Sequence, residues 1–516
     1  MPAMCAPTPD YPVDDVSLGG MTRWNARYRP DHEALICGDR TATYAELSVR
    51  ANRLAHALAA QGVQCGERVA VYLPNCIEYV EIYVAAAKLG FVVTPVNYML
   101  TEREVGYILD DSGASALIYG REKRSVVDAL REPGASATIP DLLVDVGEGG
   151  SYESLLDAGR DDEPKQVAPT EPFFQGYTSG TTGSPKGCLQ TQRAFVDHFK
   201  RSLYHFDHRD DAVMLIGGPL FHEAPALFTL AQLFYGGTVV ILPSFTPNAA
   251  MQAIQDHRCT MMGFAVPTML DAMNMLGEYD VSSLRQIVCG GAALRAPTIT
   301  ATLDRFRNAD LFEFYGATEL GLMTTINHRG ATKPGSVGRP FPGIGLAVVG
   351  EDGERLSTGR RGQIYITPIM MEGYYNRPEK TAEDSLQIDG VSWFTVGDVG
   401  YLDDDGYLFI VDRKKHMIIT GGENVYPTEV EAVLIEHPGI TDVAVIGLPD
   451  EKWGEAVTAV VVAAPGAEPS RADLQEFSVG RLAAFKIPKR VITVDALPRT
   501  PSGKVLKHVL RADHQR

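Results

Sequence analysis

The chain has 516 residues, which is too long for a single hydrophobic core, so we expect at least two domains. Hydrophobic residues make up 45% of the sequence and charged residues 22%, as in ordinary globular proteins. The formal net charge of −18 argues against nonspecific nucleic-acid binding. No apolar run reaches membrane-spanning length, and the N-terminus lacks the basic and apolar regions of a secretory signal.

The seven cysteines are scattered along the chain and form no CxxC pair. This spacing predicts reduced thiols rather than a disulfide scaffold or a zinc site. Together with the absence of a secretory signal, it predicts a cytoplasmic location.

The N-terminal part alternates between helical and strand patterns. Thr43 and Glu46 have the spacing of a capping box, and a helix is expected from there to Gly62. A strand over 68–73, a helix over 77–89 and a buried strand over 91–96 follow. This βαβ rhythm predicts parallel sheets covered by helices. Further strands are predicted at 212–216, 238–242, 286–289 and 311–315.

After about residue 335 the pattern changes to short strands separated by turns rich in Gly and Asp, which predicts a β-rich subdomain. The last hundred or so residues mix strands (443–446, 457–462) with helices (428–436, 471–482). The charged run DRKK, residues 412–415, lies between these regions. We therefore predict an α/β protein with a large N-terminal domain, residues 1–412, of helix-covered β-sheets plus the β-rich subdomain. A small α+β C-terminal domain would span residues 413–516.

The run TSGTTGSPKG, residues 178–187, has the composition of a phosphate-binding loop. Its glycines let several backbone N–H groups point into one concavity, and its hydroxyls and Lys186 add donors and a positive charge. It differs from the common P-loop, because two residues rather than four separate Gly180 and Gly183. The run resembles the phosphate loop of the acyl-adenylate-forming superfamily, which includes acyl-CoA synthetases, peptide-synthetase adenylation domains and luciferases.

The resemblance continues to the C-terminus through LFEFYGATE (311–319), WFTVGD (393–398), DRKK and PRTPSGK (498–504). Taken alone, each of these runs could be a core aromatic, a turn or a solvated charge. The resemblance implies that Tyr315 stacks on adenine, Thr318 contacts phosphate and Asp398 binds the ribose hydroxyls. It also implies that Glu319 holds Mg²⁺. Lys504 would bridge the acyl carboxylate and the α-phosphate, so Lys504, Glu319 and Thr178 are the implied catalytic residues. The full implied ATP site is Thr178, Ser179, Gly180, Thr181, Thr182, Lys186, Gly291, Ala292, Ala293, Phe314, Tyr315, Gly316, Ala317, Thr318, Glu319, Asp398, Arg413 and Lys504.

Other segments resemble the acyl-binding and CoA-binding parts of the superfamily. PLFH (219–222) implies a histidine at the acyl pocket, although this chain has Pro225 where relatives commonly have glycine. The implied acyl pocket is His222, Phe264, Val266, Gly290 and Gly316. The implied CoA contacts are Gly421, Gly422, Glu423, Phe485, Lys486 and Lys489. Lys415 matches the hinge about which the C-terminal domain of the superfamily turns.

The resemblance implies an AMP-forming acyl-CoA synthetase that uses ATP, Mg²⁺ and CoA. Its substrate would be a carboxylic acid, and the apolar residues near the implied pocket indicate a hydrophobic one. A homodimer is compatible with the resemblance; nucleic acid is not an expected partner. Two alternatives stay open: an enzyme that loads an acyl or aminoacyl group onto a carrier protein, and a nucleotide-binding regulator without catalysis. An aminoacyl substrate would need a buried carboxylate for its ammonium, for which Glu223 is the candidate.

Overall fold

A computed structural model describes residues 16–132, 137–164, 168, 171–178, 185–330, 333–413, 416–420, 423–479, 481–499, 503 and 505–515. Helices and strands are numbered in chain order. Within these ranges the α-helices are α1 (Leu18–Tyr28), α2 (Tyr44–Ala60), α3 (Ile77–Leu89), α4 (Glu102–Ser112), α5 (Arg124–Leu130), α6 (Ser151–Asp157), α7 (Gln192–Ser202), α8 (Glu223–Phe234), α9 (Pro247–Asp256), α10 (Pro267–Asn274), α11 (Ala296–Arg305), α12 (Pro378–Glu383), α13 (Pro427–Leu434), α14 (Arg471–Ser478) and α15 (Lys507–His514).

The first sheet has seven strands among the described residues, and its centre is parallel as predicted. An antiparallel hairpin and one further strand extend one edge. The strand order is β18 (Met371–Tyr374), β8 (Lys186–Thr191), β7 (Pro172–Thr178), β4 (Val92–Pro95), β3 (Arg68–Tyr72), β5 (Ala116–Gly120) and β6 (Leu142–Val146).

The second sheet has nine strands in the part of the chain that is described, and six of them form a parallel block. The order is β15 (Arg339–Pro340), β14 (Gly321–Asn327), β13 (Asp310–Ala317), β12 (Gln286–Cys289), β11 (Met261–Ala265), β9 (Val213–Ile216), β10 (Thr238–Ile241), β1 (Glu33–Cys37) and β2 (Arg40–Thr43). Helices α3 and α8 are buried around almost their whole circumference and share one large apolar core with strands of both sheets.

The third sheet is antiparallel and lies in the region that the Gly- and Asp-rich turns predicted to be β-rich. Its described strands are β19 (Ser385–Ile388), β20 (Val391–Phe394), β17 (Gly362–Thr367), β21 (Asp398–Leu402) and β22 (Leu408–Arg413), with β16 (Gly345–Val349) on β17. Gly353 and Gly406 have φ of 82° and 79°, which favours glycine at these two turns.

The C-terminal residues form a fourth, mixed sheet with its own apolar core, centred on Val445, Val457 and Leu474. Its described strands are β24 (Glu423–Val425), β23 (Ile418–Thr420), β26 (Gly454–Ala463) and β25 (Ile440–Asp450), with β27 (Arg490–Thr493) parallel to β26. The predicted α+β character is confirmed. The helix predicted over 471–482 is shorter and ends at Ser478.

Local signals explain several of these bounds. The predicted capping box is present at α2: the Glu46 N–H donates to the Thr43 hydroxyl at 3.2 Å, and the Thr43 N–H donates to the Glu46 carboxylate at 2.8 Å.

The cysteines agree only in part with the prediction of reduced thiols. Cys37, Cys76, Cys188, Cys259 and Cys289 are free, but Cys65 is disulfide-bonded. Sequence spacing does not show which cysteines meet in space, so the prediction of reduced thiols is wrong at Cys65.

None of the helices in the described ranges is both long and apolar enough to cross a membrane.

Candidate active site

The strands β7 and β8 hold the two ends of the predicted phosphate loop together. Thr178, the last residue of β7, pairs with Lys186, the first residue of β8. The loop residues Ser179, Gly180, Thr181 and Thr182 lie outside the described residues, so their phosphate contacts stay predictions. The strand pairing nevertheless places a hydroxyl and an ammonium group side by side at the base of the loop.

Glu319 is a buried carboxylate, 8% exposed, beside this loop base. Its Oε1 accepts a hydrogen bond from the Thr178 hydroxyl at 3.3 Å and another from the Tyr374 hydroxyl at 2.9 Å. The Lys186 ammonium stands 4.1 Å from the centroid of the Tyr374 ring. The structure therefore brings together three predicted residues and adds Tyr374, which the sequence analysis did not identify.

A tight hairpin between β13 and β14 positions Glu319. Gly321 in this turn has φ of +72°, and a Cβ added to it would lie 2.2 Å from Nε2 of the buried His198. A Cβ on Gly316 would lie 2.7 Å from the Gly321 carbonyl oxygen. The side chain of Gln190 donates to the Thr318 carbonyl at 2.5 Å. The turn therefore depends on glycines at both positions, in addition to the hydrogen bond from β8.

Tyr315, Asp398 and Arg413 form a second hydrogen-bonded group. The Tyr315 hydroxyl donates to Oδ2 of Asp398, and Nε of Arg413 lies 2.8 Å from Oδ1 of the same carboxylate. Asp398 and Arg413 are paired residues of β21 and β22, which explains why they meet. Burial and then the charge of Asp398 raise the pKa of the Tyr315 hydroxyl. Burial disfavours the charge of Arg413, but the nearby acidic groups, Asp398 foremost, together offset that effect and raise the pKa of Arg413.

The loop after β12 contains the predicted residues Gly290, Gly291, Ala292 and Ala293, and the last three are exposed. A buried pair fixes the end of this loop: the Leu294 N–H donates to Glu313 at 3.1 Å, and the other Glu313 oxygen lies 2.8 Å from Nε2 of His328. The sequence analysis did not identify this pair. Glycine is required at 290, since a Cβ there would lie 2.4 Å from the ring of Phe314.

The predicted acyl-pocket residues lie next to this loop. Phe264 and Val266 are buried, and the rings of Phe264 and Phe314 have centroids 6.2 Å apart. A Cβ on Gly291 would lie 3.6 Å from Val266 and 4.0 Å from Phe264. His222 precedes α8 and is exposed to solvent. Many protein atoms nevertheless lie around its imidazole ring and reduce its hydration. This desolvation lowers the pKa of His222 to about 4, so the imidazole is neutral near pH 7.

Three of the four predicted CoA residues that the structure describes contact other residues of the C-terminal region. Lys486 forms an ion pair with Glu429 at 2.6 Å, and Lys489 donates to the carbonyls of Ala484 and Ile487 at 3.1 Å each. Phe485 packs against the C-terminal core. The side chain of Glu423 is exposed.

Four further predicted positions lie outside the described residues: the CoA residues Gly421 and Gly422, the hinge Lys415 and the catalytic Lys504. The neighbouring Gly503 is described. A Cβ added to it would lie 3.6 Å from Oγ1 of Thr268, on the helix that follows Val266.

The three sheets thus contribute to one site. The first sheet provides Thr178, Lys186 and Tyr374. The second sheet provides Tyr315 and, in the turn between β13 and β14, Glu319. The third sheet provides Asp398 and Arg413. Hydroxyl, ammonium and guanidinium donors stand beside two buried carboxylates, and apolar side chains lie next to them. This arrangement suits a polyphosphate nucleotide with an apolar acid beside it.

Comparison with known proteins identifies the class to which this site belongs. The family model for AMP-binding enzymes matches residues 22–375, and the model for the AMP-binding enzyme C-terminal domain matches residues 429–504. The chain therefore belongs to the AMP-binding enzyme family.

Curated relatives point to the acyl-CoA synthetase branch that the motifs predicted. A feruloyl-CoA synthase of Amycolatopsis is 40% identical over 503 residues, covering 96% of this chain and 98% of the relative. A long-chain-fatty-acid–CoA ligase of Mycobacterium tuberculosis is 37% identical over 506 residues, with 96% and 98% coverage. A fatty acid–[acyl-carrier-protein] ligase of Streptomyces coeruleorubidus is 39% identical over 503 residues, covering 95% of each chain. The family, its acyl-CoA synthetase branch and the enzyme class of AMP-forming acid–thiol ligases are thus confirmed.

Solved structures agree with the fold. The ATP-bound MatB of Rhodopseudomonas palustris has a TM-score of 0.87 at 31% identity, covering 96% of this chain and 99% of that protein. The fatty acyl-CoA synthetase of Mycobacterium tuberculosis has a TM-score of 0.79 at 35% identity, with 97% and 98% coverage. The predicted architecture of a large N-terminal part and a small C-terminal part is confirmed.

Proposed function

We propose that this protein converts a carboxylic acid, ATP and CoA into acyl-CoA, AMP and pyrophosphate through an acyl-adenylate. The carboxylate attacks the α-phosphorus of ATP and pyrophosphate leaves. The CoA thiolate then attacks the acyl carbon and AMP leaves. The observation that carries the proposal is the convergence of the Tyr315–Asp398–Arg413 group and the Thr178–Glu319 pair at one site, although these residues come from three sheets.

The nucleotide contacts follow from the chemistry of each side chain. The Tyr315 ring offers a face for adenine, and the Asp398 carboxylate, oriented by Arg413, accepts from the ribose hydroxyls. Thr178, Lys186 and the glycine-rich loop bind the phosphates. Lys504 would stabilise the charge that develops as the acyl oxygen attacks phosphorus.

A divalent cation fits beside Glu319. This carboxylate is buried, and its charge contributes to raising the pKa of the nearby Glu223, so the potential at this position is negative. Triphosphate oxygens would add to that negative charge, and a hard cation with oxygen ligands offsets it. We therefore propose that Glu319 holds the Mg²⁺ that accompanies ATP. The bound ion would neutralise phosphate charge.

Residues 1–412 and 413–516 form the two proposed domains, a division supported by their separate apolar cores. We propose that the C-terminal domain turns about Lys415 between the half-reactions, withdrawing Lys504 and admitting CoA. The CoA channel would use Gly421, Gly422, Glu423, Phe485, Lys486 and Lys489. A cytoplasmic location and a homodimer also stay predictions.

A carrier protein is the second candidate acceptor, because the Streptomyces coeruleorubidus relative is named as a carrier-protein ligase. The same adenylation site would serve either acceptor. A regulator without catalysis lacks comparable support, since the relatives compared above are named as ligases or synthases.

The test has two stages. Carboxylic acids are first screened for acid-dependent exchange of labelled pyrophosphate into ATP, which reports adenylation without any acceptor. Acids that pass are then offered CoA or an acyl carrier protein, and thioester products are measured by mass spectrometry. Thioester formation with CoA supports the proposal, whereas transfer only to the carrier supports the second candidate. If no acid supports exchange, the adenylation function itself is refuted.

A further inference from the structure

Glu223, the first residue of α8, is a buried carboxyl group whose contacts do not explain its presence in the fold. It is 9% exposed, and its Oε1 has no hydrogen-bond partner among the described residues. The side chain does not cap the helix, because no side-chain capping bond is present at this end of α8. Buried polar atoms without a partner are costly and rare, so such an atom calls for an explanation.

The surroundings of Glu223 place it at the acyl side of the site. It directly follows His222, whose side chain is exposed. Two residues further on, Pro225 lies near Phe264 of the acyl pocket. Both side chains lie close to Gly218, because a Cβ added to Gly218 would lie 2.9 Å from Pro225 and 2.5 Å from the ring of Phe264. Glu223 therefore belongs to the first turn of α8, which contacts the apolar wall of the acyl pocket through Pro225.

The electrostatics place Glu223 toward the phosphate side as well. Burial, and then the charge of Glu319, raise the pKa of Glu223 to about 8. The pKa of the Cys188 thiol is raised by burial and, in addition, by the charges of both carboxylates. Glu223 thus lies close enough to Glu319 for the two carboxyl groups to interact, and the charge of Glu319 makes the potential there negative.

We infer that Glu223 forms a subsite for a hydrogen-bond donor, a hydroxyl or an amino group, carried by the acyl part of the substrate. The inference rests on the proposed adenylation function and narrows its substrate class. The apolar wall selects a largely apolar acid, and the unpartnered Oε1 selects one that also carries a donor. A site built around a buried polar group disfavours an analogue without the donor, since that group is then left unpaired.

The experiment compares acids in matched sets of three, in which a methyl, a hydroxyl and an amino group occupy the same position. Sets built on benzoic, phenylacetic and hexanoic acids, with the substituent at each position in turn, sample rings and chains. The kcat/KM for AMP release with ATP and CoA is measured for each member. We expect at least one donor-bearing acid to exceed its methyl counterpart by roughly 5- to 150-fold, the range for one buried hydrogen bond.

Two variants separate the donors. Glu223→Leu removes the acceptor, so the preference should vanish or turn toward the methyl acid. Glu223→Gln keeps an acceptor oxygen, so a preference for a hydroxyl should persist. A preference for an ammonium should be lost, because a carboxyl group can give up its proton and pair with that charge, whereas an amide cannot. Glu223→Leu removes an unpartnered buried carboxyl, and we expect its melting temperature without substrate to equal or exceed that of the parent protein.

Thr229→Val is the matched control, because Thr229 is also on α8, fully buried and unpartnered at Oγ1 among the described residues. It should leave the preference unchanged. The inference is overturned if the parent protein shows no donor preference in any set, or if Glu223→Leu retains the preference. Equal turnover of methyl and donor-bearing acids refutes only this inference, whereas no AMP release with any acid refutes the proposed function.

Discussion

Replacing Arg413 with glutamine should destabilise the protein and weaken its use of ATP. The Asp398 side chain is 5% exposed and that of Arg413 is 28% exposed, so the substitution leaves a nearly buried carboxylate with Tyr315 as its remaining partner at this group. Removing one member of a buried ion pair costs about 3–5 kcal/mol. Because Arg413 is partly exposed, we expect a loss of about 2–3 kcal/mol, measured as the free energy of unfolding in urea.

A double variant tests the reasoning behind that number. Adding Asp398→Asn to Arg413→Gln removes the unpaired charge, so the double variant should be more stable than Arg413→Gln alone, by about 1 kcal/mol or more. Arg160→Gln is the control, because Arg160 and Asp162 form an exposed pair, with side chains 69% and 63% exposed. It should cost less than about 0.5 kcal/mol. Additive effects of the two site substitutions would refute the coupling, and an unchanged KM for ATP in the exchange assay would refute the ribose role.

Three further predictions concern pH, the Glu319 turn and Lys504. Burial lowers the pKa of His198 and His208 to about 4. Their unfolded pKa is about 6.5, so the stability they contribute is present above pH 6.5 and is lost as the pH falls through 4. The urea concentration at the midpoint of unfolding should therefore fall as the pH is lowered from 6.5 to 4, and it should fall less steeply in His208→Gln than in the parent protein. The same pH dependence in both proteins would contradict this prediction. Gly321→Ala should abolish pyrophosphate exchange, because its Cβ would meet His198 at 2.2 Å, whereas Gly330→Ala, with φ of +87° and no atom within 4 Å of its Cβ, should cost only backbone strain. Equal activity of the two glycine variants would show that steric contact does not matter. Lys504→Ala should slow adenylation by roughly 100- to 1000-fold. The same variant should slow thioester formation from supplied acyl-AMP much less, and equal damage to both half-reactions would argue against the two-conformation mechanism.

Short motifs predicted much of the candidate site because each has the residue types that its chemistry needs. The hydroxyl- and glycine-rich run identified Thr178 and Lys186, and the YGATE run identified Glu319. The structure brings these residues together at hydrogen-bond and ring-contact distances. The helix predicted over 77–89 has the bounds observed, because its largely apolar sequence ends at Gly90, which has φ of 89°.

The residues that prediction missed reach the site through long-range pairing. Tyr374 meets Glu319 because β18 pairs with β8, and nothing in its own neighbourhood of the sequence indicates that pairing. The sequence places Glu313 only within a predicted strand, and its contact with His328 depends on the antiparallel register of β13 and β14. Local patterns indicate which chemistry a residue can perform, but the partner of a buried polar group is set by tertiary contacts.

The ion pairs around Glu429 are among the contacts that the proposed domain motion would change. Glu429 pairs with Lys486 at 2.6 Å within the C-terminal region and with Arg361, next to β17 of the third sheet, at 3.5 Å. A rotation about Lys415 would break the pair with Arg361 and keep the pair with Lys486. The Arg361 side chain is 45% exposed, and ion pairs with that exposure contribute at most about 1 kcal/mol. Lys486 would then approach CoA while its ammonium group is still paired with Glu429. Lys486 should therefore contribute to CoA binding only if the phosphates of CoA displace the Glu429 carboxylate.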